Sequence, residues 1–170
     1  MWIKMDTDGN VFFKQLRVGK NNKDFFIYKF RTMRTGAEHG SKITIGNDDQ
    51  RITRAGQILR RYKLDELPQL YNIVGGDMSI VGPRPETRNY VSLYDLKQLK
   101  VLSVKPGLTD YASIIYINEN EILKGSSNPH DTYINKIMPS KLALNLKYIQ
   151  DKSLTTDVWI IFKTLKKIVG

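Results

Sequence analysis

The first third of the chain alternates short apolar segments with polar stretches that contain glycine. Residues 10–17 and 24–33 are rich in Phe, Ile, Val and Tyr, and the polar stretch 18–23 lies between them, which predicts a β-hairpin. Residues 35–50 hold three glycines and an Asn-Asp-Asp run, a composition that indicates a loop or lid. Apolar residues at helical spacing over 53–61 then predict a helix.

The clearest helical pattern follows directly. Apolar side chains recur at helical spacing and precede a pair of glycines, which commonly end helices: Leu67, Leu70, Ile73, Val74, Gly75 and Gly76. Asp65 occupies the predicted N-cap, and Glu66 follows it in the first turn. We therefore expect a helix that begins with two adjacent carboxylates.

The middle of the chain predicts shorter elements. They are a strand over 78–81, a rigid turn over 82–85, a helix that opens at Pro85 and runs to about Lys97, a turn over 105–107, a strand over 111–117 and a polar loop over 118–132. Two amphipathic helices are predicted to close the chain, over 139–151 and 154–169.

The two closing helices have two interpretations. Their apolar stripes either pack on the domain core or lie in a membrane interface. We favour the membrane interface because Trp159 and Ile160 widen the apolar stripe of the last helix, while Lys163, Lys166 and Lys167 suit anionic headgroups.

Composition narrows the class of protein. The 170 residues are 41% hydrophobic and 26% charged, as in a globular domain, and no internal repeat or long linker divides them. We expect a compact single domain of the α/β class (α+β-like), with a small irregular sheet or hairpin surrounded by helices, and not a Rossmann fold. The absence of Cys excludes a disulfide scaffold, a thiolate zinc site and a cysteine nucleophile. The longest apolar run is residues 158–162, too short for a membrane-spanning helix.

The positive charge is concentrated in one part of the chain. The formal net charge is +10, and residues 1–63 carry 14 basic and 6 acidic residues. Nucleic acid, an anionic membrane and a phosphorylated substrate are each compatible partners, as is a basic surface that only aids solubility.

The chemistry that stands out lies where the basic segment meets the carboxylate pair. Arg54, Arg60 and Arg61 precede Asp65 and Glu66, and a helix N-terminus together with arginines would hold a phosphate group. A carboxylate there can become a nucleophile when Arg or a divalent cation neutralises the phosphate oxygens. The alternative is an N-cap with a surface ion pair.

Several motifs surround this pair in a fixed order. They are FFKQ at 12–15, RVG at 17–19, YKFRTM at 28–33, RAG at 54–56, LDELPQL at 64–70, GDMSIVGPRP at 76–85 and KPGLT at 105–109. Over residues 11–167 the chain resembles the bacterial sugar transferase family, the monotopic phosphoglycosyl transferases that begin the assembly of bacterial surface glycans.

The resemblance implies a two-step transfer. A UDP-sugar forms a sugar-phosphate ester on an Asp with release of UMP, and the sugar phosphate passes to undecaprenyl phosphate, a polyprenyl phosphate. By motif match Asp65 would be the nucleophile and would bind Mg²⁺, and Glu66 would position it or handle a proton. We expect Arg60 and Arg84 to bind the substrate phosphates.

Lys29 and Arg31 are weaker candidates for binding the substrate phosphates, since basic residues on a strand often form only its solvated face. The resemblance further implies work at the cytoplasmic face of the bacterial inner membrane, with its anionic inner leaflet as a partner. The sequence does not identify which sugar is transferred. It also leaves the oligomeric state open, and a homo-oligomer is among the states that it allows.

The chain departs from the family pattern in two places. A hydrophobic membrane helix precedes the FFKQ motif in the family, whereas residues 1–10 here are polar, so we expect a soluble catalytic domain cut from its anchor. The family usually has Gly where this chain has Asp110, which puts a close backbone approach there in doubt. Two rival functions stay open: a nucleic-acid-binding module, disfavoured because no reader motif is evident, and a non-catalytic scaffold of a glycan-assembly complex.

Overall fold

The computed structural model describes residues 2–37 and 49–169. The strands within these ranges are β1 (Phe12–Val18), β2 (Asp24–Phe30), β3 (Ser79–Val81) and β4 (Gly107–Thr109). The α-helices of this part of the chain are α1 (Trp2–Asp6), α2 (Arg54–Arg61), α3 (Leu70–Val74), α4 (Arg88–Val91), α5 (Tyr111–Ile115), α6 (Glu119–Lys124), α7 (Pro129–Thr132), α8 (Met138–Asp151) and α9 (Leu154–Val169). The strands form two separate two-stranded sheets among the helices, which confirms the α/β class without a doubly wound sheet.

The predicted hairpin is confirmed. Strands β1 and β2 pair antiparallel, in a register that runs from Phe12 opposite Phe30 to Val18 opposite Asp24. A 3₁₀ turn joins them, with Asn21 at φ 56° and Asn22 at φ 62°, and Asn is among the few residues that enter this left-handed region readily. The predicted loop or lid over 35–50 falls mainly on residues 38–48, outside the described residues.

The second sheet is built from two short parallel strands, β3 and β4. The strands approach so closely that a Cβ on Gly107 would lie 2.1 Å from the backbone N of Gly82. Only glycine fits that contact. The close contact between Gly82 and Gly107 therefore fixes the turn that carries Arg84, which directly follows β3, relative to β4.

The helical segment that contains Asp65 and Glu66 begins differently from the prediction. Lys63, in the left-handed region at φ 55°, precedes a 3₁₀ segment, Leu64–Gln69, which then passes into α3. Asp65 is thus inside the first turn, and its predicted N-cap position was wrong. Pro68 explains the tight winding, since a proline clashes with the carbonyl four residues earlier in an α-helix.

Three other predictions were wrong, and in the first two a side-chain cap decides the structure. The helix expected over 85–97 is only α4, because Asp95 and Gln98 cap each other's backbone N–H at 2.7 and 3.0 Å and start a separate 3₁₀ segment, Gln98–Ser103. The strand expected over 111–117 is helix α5, whose N-cap Asp110 accepts from the Ser113 N–H. The loop expected over 118–132 contains α6 and α7.

The closing helices have the predicted bounds but different surroundings. Helix α8 packs into two buried clusters through residues such as Leu142 and Tyr148, so for α8 the core interpretation is right. Helix α9 contacts the domain through its buried Ile160 and the half-buried Thr164. Its most apolar stripe is exposed: Leu154, Val158, Phe162, Leu165 and Val169. None of the described helices is long and apolar enough to cross a membrane.

Candidate active site

The 3₁₀ segment Leu64–Gln69 buries both members of the carboxylate pair. Asp65 is 8% exposed and Glu66 is 9% exposed. Charged side chains are rarely buried unless they are paired or functional. The interpretation of this pair as a cap with a surface ion pair is therefore wrong, and each carboxylate needs its own explanation.

Glu66 is held by two cations from distant parts of the chain. Its Oε1 accepts hydrogen bonds from Lys29 Nζ at 3.0 Å and from Arg84 Nη2, and its Oε2 accepts from Arg84 Nη1 at 3.1 Å. Burial by itself raises the pKa of Glu66, but Arg84 and Lys29 outweigh it and hold this pKa well below the usual 4.5. Glu66 therefore stays ionised and anchors both cations.

Asp65 differs from Glu66 in the direction of its pKa shift and in its hydrogen bonding. Its Oδ1 is buried and has no hydrogen-bond partner within the described part of the chain. Burial, and then the neighbouring charge of Glu66, raise the pKa of Asp65 above the usual 3.8. A buried carboxylate oxygen without a donor is costly unless a cation or a reacting group occupies the space beside it. Asp65 thus carries the unsatisfied negative charge of the site.

Arg84 is positioned by its own turn. Pro83 and Pro85 fix the backbone on either side, the Gly107 N–H donates to the Pro83 carbonyl at 3.0 Å, and the Arg84 N–H donates to Asp110 Oδ2 at 3.2 Å. The Glu66 carboxylate is the main cause that raises the pKa of Arg84. The doubt about Asp110 is thereby resolved: its backbone is extended at φ −160°, which any residue adopts, and its side chain braces the Arg84 turn.

Arg60 approaches from helix α2. The helix packs against the chain at Thr32, where Gly56 is required because a Cβ would lie 2.1 Å from the Thr32 carbonyl oxygen. Thr53 caps α2 by accepting from the Gly56 N–H at 2.9 Å. From this helix Arg60 Nε donates to Thr32 Oγ1 at 2.8 Å, and its charge acts to lower the pKa of Asp65.

All six predicted site residues line one open groove, but they are not equally close to the carboxylates. Lys29 and Arg84 bind Glu66 directly, and Arg60 lies within electrostatic reach of Asp65. Arg31 instead donates to Thr7 Oγ1 and to the carbonyls of Thr7 and Asn10, at 2.5, 2.7 and 2.6 Å. Its described contacts tie the N-terminal residues to β2.

The sequence reasoning missed a second charged cluster beside the first. Arg17 Nη1 donates to the Pro85 carbonyl at 3.1 Å and to Glu86 Oε2 at 3.3 Å, and the Tyr133 hydroxyl donates to Glu86 Oε1. The RVG motif and the acid directly after the PRP turn were the available signals. The two residues of the ion pair are 69 positions apart, and a single sequence does not show which distant charges meet.

The groove extends from the carboxylates to the inner side of helix α9. Its lining includes the half-buried Ile161 and Ile168 of that helix as well as Asp65 and Arg84. At one end the groove has cations and partly buried carboxylates, and at the other end it has apolar helix residues. The groove is therefore an amphipathic binding surface. This is the type of site that binds a phosphorylated molecule with an apolar part.

Comparison with known proteins agrees with that class of site. A family model described as bacterial sugar transferase matches residues 1–170, and the chain belongs to this family. The resemblance stated from the sequence motifs is thereby confirmed.

Individual relatives extend the comparison. The chain is 38% identical over 98% of its length to the UDP-N-acetylgalactosamine-undecaprenyl-phosphate N-acetylgalactosaminephosphotransferase of Aeromonas hydrophila, and 37% identical over 99% to the UDP-glucose:undecaprenyl-phosphate glucose-1-phosphate transferase of Xanthomonas campestris pv. campestris. It spans 37% and 33% of those two relatives. It is also 33% identical over 98% of its length to the exopolysaccharide production protein ExoY of Sinorhizobium fredii, of which it spans 73%.

Proposed function

We propose that the protein to which this chain belongs transfers a sugar 1-phosphate from a UDP-sugar to undecaprenyl phosphate, through a covalent intermediate on Asp65 and with release of UMP. The observation that carries the proposal is the buried Asp65 Oδ1, which lacks a donor in the described structure beside a fixed set of cations. The substrates named for the Aeromonas and Xanthomonas relatives supply the chemical class.

Asp65 fits a divalent cation as well as a phosphoryl group. No cluster of three or more His, Cys, Asp or Glu side chains able to hold a metal occurs among the described residues. Mg²⁺ commonly binds one or two carboxylates and takes its remaining ligands from substrate phosphates and water. Both oxygens of Glu66 are engaged by cations, so Asp65 would hold the ion, which would neutralise charge on the diphosphate.

The proposed first step is an in-line displacement at phosphorus. An Asp65 oxygen attacks the phosphorus that bears the sugar, and the bond from that phosphorus to the bridging oxygen breaks. UMP leaves with the bridging oxygen and its electron pair. In the second step a phosphate oxygen of undecaprenyl phosphate attacks the same phosphorus, and the Asp65 carboxylate is released. Neither step changes an oxidation state, and positioning and charge neutralisation supply most of the catalysis.

Glu66 acts by position rather than as a proton carrier. A carboxylate whose pKa is held well below 4.5 is a poor proton acceptor at neutral pH. Its three hydrogen bonds fix Lys29 and Arg84 beside Asp65. Arg84 and Arg60 then bind the diphosphate oxygens, which would otherwise repel the Asp65 carboxylate.

The test of the proposed function is a search for the covalent intermediate. The full-length protein would be incubated with Mg²⁺ and a panel of UDP-sugars without acceptor, and UMP release and the mass of the protein would be measured. We expect one sugar of the panel to give UMP and a sugar-phosphate adduct on Asp65. Asp65→Asn should abolish both, while the exposed Asp131→Asn serves as the matched control and should retain both. Undiminished UMP release by Asp65→Asn would contradict the proposal.

The exposed stripe of α9 supports a membrane surface as partner. Three large side chains there, Val158, Phe162 and Leu165, are 58%, 65% and 57% exposed, and Lys163 Nζ lies 5.4 Å from the ring centre of Trp159. Apolar residues flanked by lysines and an aromatic ring suit the cytoplasmic, anionic leaflet of the inner membrane.

The membrane proposal has its own test, cosedimentation with vesicles. The chain should bind vesicles that contain anionic lipid, less so as salt increases, because salt screens the lysines. Phe162→Glu should reduce binding, whereas Ala143→Glu, which adds the same charge at an exposed position of α8, should not. Equal loss with both variants, or no binding by the unmodified chain at any salt concentration, would contradict a docking role for α9.

A further inference from the structure

The tripeptide Pro83-Arg84-Pro85, in the turn that carries Arg84, has a single backbone hydrogen-bond donor. Pro83 and Pro85 have no N–H, so the N–H of Arg84 is the only one in this tripeptide. It donates to Asp110 Oδ2 at 3.2 Å. The other oxygen of the same carboxylate, Oδ1, accepts from the Ser113 N–H at 2.6 Å and so caps α5. One side chain therefore connects the turn to the helix.

Asp110 is itself rigidly held. It is 0% exposed, and it directly follows β4, whose Thr109 carbonyl accepts from the Gly82 N–H at 3.0 Å. The Thr109 hydroxyl also lies 2.6 Å from the hydroxyl of Thr164 in α9. A buried carboxylate with both oxygens hydrogen-bonded on a braced backbone is a fixed reference point for whatever it binds.

The anchoring of the Arg84 main chain by Asp110 matters because the guanidinium group of Arg84 binds Glu66. Its guanidinium group donates from Nη1 and Nη2 to the two oxygens of Glu66, beside Asp65. An arginine side chain is long and flexible, so its reach is reproducible only when its main chain is fixed. Small displacements of a positioning group can lower a catalysed rate by about 100-fold.

We propose that Asp110 is a positioning residue for Arg84. It fixes the main chain of the turn and thereby sets where the guanidinium group meets Glu66 and the substrate diphosphate. The part of this inference that concerns the substrate diphosphate rests on the proposed function. The part that concerns the anchoring of the turn by Asp110 does not. The alternative is that Asp110 only caps α5.

The substitution Asp110→Asn separates the two roles. Asn is as good an N-cap as Asp, so the cap on Ser113, which has the shorter hydrogen bond, should persist. The amide group has one oxygen, however, and its NH₂ group cannot accept from the Arg84 N–H. The variant should thus keep α5 and release the turn. Asp110→Gly removes both contacts and is a second variant that the extended backbone tolerates.

A double-mutant cycle on the full-length protein measures whether Asp110 acts through Arg84. Asp110→Asn should lower kcat/KM for UMP release about ten-fold, since a misplaced group loses part of its effect. In the Arg84→Ala background the same change should have little further effect. Asp95→Asn makes the same chemical change at an exposed capping residue outside the groove and should leave kcat/KM unchanged. An equal loss in both backgrounds, or no loss in the unmodified protein, would overturn the proposal.

Amide hydrogen exchange gives a readout that does not need activity. The Arg84 amide should exchange slowly in the unmodified protein and about ten-fold faster or more in Asp110→Asn, while the Ser113 amide keeps its protection. Equal protection of the Arg84 amide in both proteins would overturn the anchoring role. If the unmodified protein released no UMP, the proposed function would fail, and the exchange rates would still decide the role of Asp110.

Discussion

The two adjacent carboxylates should affect stability in opposite directions when each is neutralised. Glu66→Gln removes a buried anion from between two cations, whereas Asp65→Asn removes a buried anion whose Oδ1 has no donor in the described structure. Both changes keep the size and shape of the side chain. The difference between them therefore isolates the electrostatics of each position.

The expected magnitude for Glu66 follows from its contacts. Removing one partner of a buried ion pair costs about 3–5 kcal/mol. The Arg84 side chain is 32% exposed and the Lys29 side chain 18%, and Gln still accepts one hydrogen bond. We therefore expect Glu66→Gln to lower the free energy of unfolding by roughly 2–4 kcal/mol, or the Tm by roughly 6–12 °C for a loss near 3 kcal/mol.

Asp65→Asn should instead raise the free energy of unfolding at pH 7, by about 0.5–1 kcal/mol, as is common when a functional group is removed from an active site. The raised pKa of Asp65 means that the folded chain prefers the protonated form, so the ionised carboxylate costs stability above that pKa. The benefit of the substitution should fade as the pH falls through the raised pKa of the folded state, and it should be absent below 3.8, where both states bind the proton.

Glu66 follows the opposite pH dependence. Its lowered pKa means that its stabilising effect is fully present above 4.5 and is lost as the pH falls through the lower pKa of the folded state. The deficit of Glu66→Gln relative to the unmodified chain should therefore shrink at acidic pH.

Urea unfolding followed by circular dichroism at pH 7 and at pH 4 measures these differences. Asp131→Asn, at an exposed carboxylate, is the control and should change little. A loss of stability in Asp65→Asn comparable to that in Glu66→Gln would refute the reasoning, because it would show that Asp65 is paired in the folded protein. An unchanged stability of Glu66→Gln would show that its cations do not depend on it.

Two further substitutions probe the elements that support the site. Gly56→Ala should lower the Tm by more than 5 °C, since its Cβ would lie 2.1 Å from the Thr32 carbonyl oxygen and must push α2 away; thermal unfolding checks this, and a Tm within 2 °C of the unmodified chain would argue against the close contact. Tyr148→Phe should cost about 1–2 kcal/mol in urea unfolding, because its hydroxyl donates to Asp157 Oδ1 at 2.8 Å inside the core. A neutral result would mean that the hydroxyl contributes nothing to holding α8 on α9.

The parts of the fold that local patterns determine were predicted from the sequence. The hairpin follows from two β-rich segments around a polar turn, and helices α2, α8 and α9 follow from apolar residues at helical spacing. Each depends on residues within a few positions of one another. The strand expected over 111–117 failed because a buried cap overrode the preference of Tyr and Ile for strands, and Asp110 as a cap is recognisable only once its donors are known.

The candidate site was likewise predictable in its local features but not in its contacts between distant residues. The motif and the neighbouring arginines brought attention to Asp65 and Glu66, and Lys29 and Arg84 were expected to bind phosphate. Their pairing with Glu66 was not foreseen, since it joins positions 37 and 18 residues away through the tertiary fold. A single sequence gives the types of charges, but burial decides which carboxylate is paired and which is left without a partner.

Helix α9 links the two proposals physically. Its inner face is tied to the site, because the hydroxyls of Thr164 and Thr109 are 2.6 Å apart and Thr109 directly precedes Asp110, which anchors Arg84. The next residue of the helix, Leu165, is 57% exposed on the stripe proposed to meet the membrane. With α9 docked on the membrane as proposed, so short a path from the exposed stripe to the site would fix the height of Arg84 above the bilayer surface. An acceptor whose phosphate lies at that surface would then meet the sugar phosphate without leaving the membrane.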